Sequence, residues 1–187
     1  MLNHVVVALG NPEAQHEKSR HNAGWIAVDK YIKKTKWRKE NKFQALVAKE
    51  EDILYVKPLT YMNLSGDSVF KIMNYYKFLP KKYGLIVKKN SNLRDCLTII
   101  HDDIDINLGE YKIVSDSSSA GHRGVQSIIN RLGTKKFNRL RLGIKTPLLK
   151  QVIPANKFVL QKFNQEELDK LLNTVEKAWP HVSENSW

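Results

Sequence analysis

Only one cysteine, Cys96, occurs in the 187 residues. No intrachain disulfide is therefore available, which fits a reducing compartment and predicts a cytoplasmic protein. Cys96 opens the apolar run "CLTII" and reads as a buried, inert thiol rather than a nucleophile. Long hydrophobic runs are lacking too, and nothing approaches the roughly 20 apolar residues of a membrane span. The start, "MLNHVVVALG", has neither a basic leader nor a small-residue cleavage site, so it reads as a strand and not as a signal peptide. There is no G-x-S-x-G elbow, no phosphate loop of the GK[ST] type and no dinucleotide glycine fingerprint. "HEKSR" at His16–Arg20 begins like a zinc-binding helix, but Arg20 stands where the second histidine belongs. Acidic charge is also in short supply. Asp plus Glu number 19 against 31 Lys plus Arg, a net charge of +12. Such an excess attracts phosphate polymers through counterion release and points towards nucleic acid, although solubility alone would also account for it.

The length suits a single domain, residues 1–187, with a core that needs no disulfide or metal. "HVVVAL" at residues 4–9 is β-branched and apolar, as in a strand buried on both faces, and Gly10–Pro12 ends it with turn residues. Trp25, Val28 and Ile32 recur at helical spacing and predict an amphipathic helix from about Ala23 to Lys34. "KFQALVAKE" and "DILYVKPL", separated by Glu50–Glu51, predict a hairpin. A helix from about Asp67 follows, with Val69, Ile72, Met73 and Tyr76 on one face. "LIVKK" and "CLTIIHDD" bracket a polar connection, and the second predicts a central strand delivering His101, Asp102 and Asp103 at its carboxyl end. After the loop "DSSSAGHRG", Val125, Ile128, Ile129 and Leu132 mark a helix closed by Gly133. "FNRLRLGI" is another strand, and Asn164 with Glu167 opens a last helix, running to about Trp179, with a capping-box pattern. Strands alternating with helices predict a three-layer α/β/α domain with a mixed, largely parallel central sheet.

Four polar groups fall at element ends: Asn11 after the first strand, His21 before the first helix, Asn63 in "TYMNLSG", and Asp102. In open α/β sheets ligands gather outside the carboxyl ends of strands, where Asn11 and Asp102 are both expected. A histidine can take a proton from water near neutral pH, and does so well when a carboxylate fixes its tautomer and steadies the imidazolium. Two carboxamides could position the water or donate to a developing oxyanion. Each residue also has an ordinary reading, since Asn11 suits a turn and Asn63 a helix cap. His101, Asp102, Asp103 and Asp105 could hold a metal. In a strand, however, Asp102 faces away from the other three, and no second histidine cluster is near in sequence.

Together, "LGNP", "SRHNAGW", "KPLTYMNLSG", "IIHDDIDINLG", "AGHRGVQSIINRLGT" and "FNRLRLGI", in this order from about Val5 to Phe163, resemble the bacterial peptidyl-tRNA hydrolases. The resemblance implies hydrolysis of the ester joining a peptide to the 3′ ribose of tRNA, without metal or other cofactor, by a monomer. It implies His21 as catalytic base, Asp102 as its orienting partner, and Asn11 and Asn63 as the amides holding water and peptide. Met62, His16, His122 and Arg123 would complete the substrate site. The basic excess would then serve the tRNA acceptor stem, with Lys112, Arg139 and Arg141 as candidate phosphate contacts, of which Arg141 alone matches a family position. The chain departs from the pattern in several places. Arg123 replaces an asparagine in the stretch Ala120–Gly124, and an arginine can donate to a carbonyl or phosphate but cannot accept from water. His16 stands in place of an aromatic residue, Glu13 of a glycine, and Val114 of a basic residue. Between Tyr76 and Asp102 about a dozen residues are added, which predicts an insertion within 80–96, and the C-terminus is short for the family.

Two other functions compete with this one. A non-catalytic RNA-binding relative of the same fold, of the intron-splicing type, is favoured by Arg123 and opposed by the retained His21, Asp102, Asn11 and Asn63. A metal-dependent phosphoesterase built on "HDDID" would lose activity with chelator.

Overall fold

A computed structural model describes residues 2–82, 86–147 and 153–183. Its centre is the strand β1 (His4–Ala8), all five residues of which are buried. Side chains alternate across a strand, and here they sort into two cores. Val5, Val7 and Leu9 join Val69, Ile72, Met73, Val125 and Ile128 on one face. Val6 and Ala8 join Ala23, Ala27, Val28, Leu171, Val175 and Ala178 on the other. The expected three layers follow directly from that sorting.

The helices of the second core are α1 (Ala23–Tyr31), the short α4 (Ala155–Phe158) and the C-terminal α5 (Gln165–Ser183). Those of the first are α2 (Ser65–Tyr75) and α3 (Arg123–Leu132). Helix α1 is shorter than its periodicity suggests. Ile32 turns to extended backbone and stays in the core, which releases the lysines after it to solvent. Helix α5 is longer than expected: it passes Pro180 because Val182, fully buried, holds its last turn against the core. Its start is the predicted capping box, with Glu167 N–H donating to Asn164 Oδ1 (2.9 Å) and Asn164 N–H to Glu167 Oε2 (3.0 Å). Gly133, at φ 67°, closes α3 in the left-handed conformation.

The main sheet has seven strands in the order β2-β3-β4-β1-β7-β9-β8. The strands β4 (Ile53–Pro58), β1, β7 (Leu97–Asn107) and β9 (Asn138–Lys145) run parallel. Antiparallel pairings flank them: β3 (Ala45–Glu50) against β4 and β2 (Arg38–Glu40) against β3 on one side, β8 (Tyr111–Ser115) against β9 on the other. Lys81–Lys82 (β5) and Ile86–Val87 (β6) form a separate antiparallel pair within the expected insertion, of which residues 83–85 lie outside the described residues. The segment after it is fastened to the domain, with Leu93 buried and Thr134 Oγ1 donating to the Ser91 carbonyl (2.7 Å).

One register decides where the site lies. Strand β7 pairs with β1 only as far as Ala8 and Ile100, then runs on beside β9. Asp102 is thus within β7 rather than at its end, yet it stands just beyond the carboxyl end of β1. The chain leaves β1 for α1 on one face of the sheet and leaves β4 for α2 on the other. A crevice opens at such a reversal.

Candidate active site

The His21 imidazole is built onto this crevice by the 3-10 turn Arg20–Asn22, which leads directly into α1. Gly24 lets the start of α1 come close. A Cβ there would lie 2.6 Å from the Ile100 carbonyl oxygen and 2.7 Å from that of Leu9, both backbone atoms. The turn is held from the other side by the C-terminal part of the chain. Arg20 N–H donates to the Gln161 carbonyl and His21 N–H to the Val159 carbonyl, both at 2.8 Å. The buried Arg20 guanidinium lies over the rings of Phe158 (4.5 Å) and Phe163 (5.1 Å), and its Nη2 donates to Glu167 Oε1 at 2.6 Å.

So placed, His21 Nδ1 is 2.8 Å from Asp102 Oδ1. Asp102 is 1% exposed, and burial alone would raise its pKa. The imidazoles of His21 and His122 outweigh burial and hold it well below the usual carboxylate range. An ionised carboxylate only accepts, so the His21 proton is on Nδ1 and the Nε2 lone pair is left for the cleft. Burial also disfavours the His21 imidazolium, but Asp102 overrides it and leaves the pKa above the ordinary histidine value, with Arg123 opposing.

His122 has a second task. Its Nδ1 accepts the Val125 N–H (3.3 Å), capping α3, so its own proton is on Nε2, which donates to Asp102 Oδ1 at 3.0 Å. The two rings lie 4.9 Å apart. Among the described residues, His21, Asp102 and His122 are the group whose donor atoms could surround a metal. The cap on His122 counts against a fit, because the nitrogen facing Asp102 carries a proton and not a lone pair. His101, the other histidine of "HDDID", is fully buried behind this group, with Nδ1 donating to the Asp102 carbonyl (2.7 Å).

The first carboxamide is held as firmly. Asn11 Oδ1 accepts the Met62 N–H (3.1 Å), which turns Asn11 Nδ2 into the free donor. The backbone of Asn11 is clamped by Asn22, whose Oδ1 accepts the Asn11 N–H (2.8 Å) and whose Nδ2 donates to the Asn11 carbonyl (3.0 Å). Asn63 is exposed, and among the described residues its amide makes no hydrogen bond.

These groups line one cleft of about 550 Å³: Asn11, His21, Met62, Asn63, Asp102, His122 and Arg123 are all on its wall. That volume suits a nucleoside with an aminoacyl group. The remaining expectations divide. His16 is not on the wall; it turns instead to Glu13, 3.2 Å away. Arg139 is 1% exposed and donates to the Ser118 carbonyl (2.9 Å), so it is a packing residue and not a surface phosphate contact. Burial lowers its pKa to about 10, helped by the charge of Arg141. Lys112 is exposed and lies directly opposite Arg141 across the β8–β9 pair. Arg141 Nε donates to Asp103 Oδ2 at 2.7 Å. Cys96 is half-buried rather than buried, and burial pushes its thiol up to about 11, which disfavours the nucleophilic thiolate.

The model of the family described as peptidyl-tRNA hydrolase matches residues 5–186. This chain belongs to the peptidyl-tRNA hydrolase family. It is 41% identical over 172 residues to the peptidyl-tRNA hydrolase of Mycoplasma capricolum, covering 89% of this chain and 84% of that one. With the enzyme of Thermodesulfovibrio yellowstonii it shares 39% over 188 residues, covering 93% and 87%. The crystal structure of the Acinetobacter baumannii peptidyl-tRNA hydrolase superposes with a TM-score of 0.78 at 28% identity, covering 97% of this chain and 87% of that one.

Several residues that build the cleft are not evident from the sequence. Asn22 adjoins His21, but its grip on Asn11 is a contact between loops. Tyr61, Asn156, Val159 and Leu160 also line the cleft. Leu160 is exposed on that wall, but it follows Phe158 and Val159 in one apolar run, and nothing in the sequence marks it.

Proposed function

We propose that this protein hydrolyses the ester between the peptide and the 3′-terminal ribose of peptidyl-tRNA, releasing free peptide and tRNA. The observation that carries the reading is the 2.8 Å contact of His21 Nδ1 with the buried Asp102 carboxylate, which leaves Nε2 as a base in an open cleft. His21 takes a proton from water as the water oxygen bonds to the ester carbon. Asn11 Nδ2 and the Asn63 amide donate to the water and to the carbonyl oxygen as charge develops there. The bond to the ribose oxygen then breaks, and the proton on His21 passes to that oxygen. Asp102 remains ionised and stabilises the imidazolium in between. His122 holds Asp102, and Met62 holds Asn11.

Lys112 and Arg141 are proposed to meet phosphates of the acceptor stem, since RNA duplexes are read chiefly through backbone and shape. We further propose that the family core carries an insertion within residues 80–96, that the protein works as a monomer, and that it does so in the cytoplasm. No helix among the described residues is long and apolar enough to cross a membrane. Purified protein should release peptide from peptidyl-tRNA in the presence of EDTA, while His21→Ala abolishes turnover and leaves tRNA binding largely intact. A wild-type protein that binds tRNA but releases no peptide would move the assignment to a non-catalytic RNA-binding role, and loss of activity with chelator would favour a metal enzyme.

A further inference from the structure

Arg123 is the residue for which the proposed chemistry leaves no task. It begins α3, is exposed, and makes no hydrogen bond or ion pair with any described residue. By contrast Arg20, Arg94, Arg131 and Arg141 each meet a carboxylate. Its neighbour in sequence, His122, packs on the ring of His21, so the guanidinium starts one residue from the base. Arg123 also lines a second depression of about 320 Å³ that adjoins the cleft, sharing Asn63, Gly121 and Arg123 with it. Neither wall carries another lysine or arginine.

The two hollows differ in charge. The cleft wall includes two carboxylates, Asp102 beneath the imidazoles and Asp103 paired with Arg141. The remaining wall of the depression is Ser119, Gln126, Ser127 and Asn130, all neutral hydrogen-bonding groups. Three of these are already fixed in place. Ser119 Oγ donates to Gln126 Oε1 (2.7 Å), and Gln126 Nε2 donates to Asn130 Oδ1 (2.7 Å). A polyanion with its reacting end at His21 therefore finds one cation at the boundary and, among the residues lining the depression, no acidic group.

We propose that Arg123 grips the phosphodiester on the 5′ side of the terminal ribose and that the adjoining depression receives the nucleotide before it. The identity of the ligand rests on the function proposed above. With the ester at His21, the nearest negative charge of such a substrate lies one ribose away, and a guanidinium can take two phosphate oxygens at once. In this chain the residue is thus a determinant of binding for the 3′ end and not a substitute for a water-holding amide.

The test is binding of the trinucleotide CCA, set against adenosine, to the intact protein by chemical-shift titration at low salt. The wild type should bind the trinucleotide more tightly than adenosine. Arg123→Gln should lose about tenfold or more of the trinucleotide affinity, with a smaller change for adenosine. Arg123→Lys, which keeps the charge without the fork, should fall between. Added salt should weaken the trinucleotide complex of the wild type more than that of Arg123→Gln. Trinucleotide binding by Arg123→Gln that equals the wild type, or equal losses for both ligands, overturns the proposal. Peptide release by the wild type is scored separately. Arg123-dependent binding in a protein that releases no peptide refutes the hydrolase and leaves the phosphate site, whereas active protein with Arg123-independent binding does the reverse.

Discussion

Replacing Asp102 with asparagine separates the electrostatic part of the site from its shape. Asparagine is nearly isosteric and can still accept one imidazole N–H, so the fold should survive. What it removes is a negative charge that is 1% exposed and in contact with two imidazoles. Two unit charges about 4 Å apart interact by about 4 kcal/mol at an effective dielectric constant near 20. That interaction is absent while His21 is neutral and present once it has taken the proton from water, so it lowers the barrier. Its loss predicts a fall in kcat of roughly a thousandfold. The pH dependence should also move. In the wild type Asp102 holds the His21 pKa above the ordinary histidine value, and activity should be lost as the pH falls through it. Without the carboxylate, burial, the largest influence on His21, acts with Arg123 to favour the neutral ring. The acid limb of kcat should therefore shift to lower pH even as the plateau drops. The assay is single-turnover peptide release across pH 5 to 9, with circular dichroism to verify the fold. A loss of less than tenfold, or an acid limb that stays or moves upward, would refute the reasoning.

Two further substitutions test how the base is positioned. Arg20→Met strands the partly buried Glu167 and removes the contact across Phe158 and Phe163. It should cost about 3–5 kcal/mol, seen as a fall in Tm of roughly 6–20 °C, with Arg20→Lys losing less; an unchanged melting curve would show that the clamp contributes nothing. Gly24→Ala sets a methyl group against the backbone oxygens of Leu9 and Ile100, which cannot yield as a side chain could. Overpacking of this kind costs about 1–3 kcal/mol, and a shift of His21 by even 1 Å should lower kcat about a hundredfold. Wild-type kcat in that variant would disprove the tight approach.

The parts of the fold legible in the sequence are those where burial writes a strong pattern. Strand β1 is covered on both faces and so carries an unbroken run of valines, Val5–Val7; α3 carries one apolar stripe and ends on Gly133. The edge strands β2 and β8 are not evident in the sequence, because their mix of exposed and half-buried residues, such as Lys112 and Val114, leaves no clear alternation. Asn11 and His21 can be singled out because each adjoins a recognisable element end, and Asp102 because it follows an apolar run directly, although it proves to stand inside β7. Their meeting is a matter of register, set by where β1 stops beside β7. Arg139 and Arg141 show the limit well. They are two apart in one strand and share a face, and nothing local tells them apart. Only the loop through Ser118, arriving over the strand, covers Arg139 and leaves Arg141 to pair with Asp103 nearer the cleft.

The same distinction between local pattern and tertiary approach explains how one crevice can hold a base and attract an anion. Parallel strands bring the carboxyl ends of β1 and β4 to the same end of the sheet, and the overhang of β7 on the other side of β1 adds Asp102 beside them. A carboxylate this deep would ordinarily be protonated; instead two imidazoles arriving from different helix starts keep it charged. The negative charge that strengthens His21 as a base is thereby confined beneath the imidazoles. The exposed positive charge of Arg123 stands at the rim, where it weakens the base somewhat but faces whatever enters. Such an arrangement favours a substrate that is anionic away from its reacting bond and neutral at it, which is the charge distribution of an ester at the end of a nucleic acid.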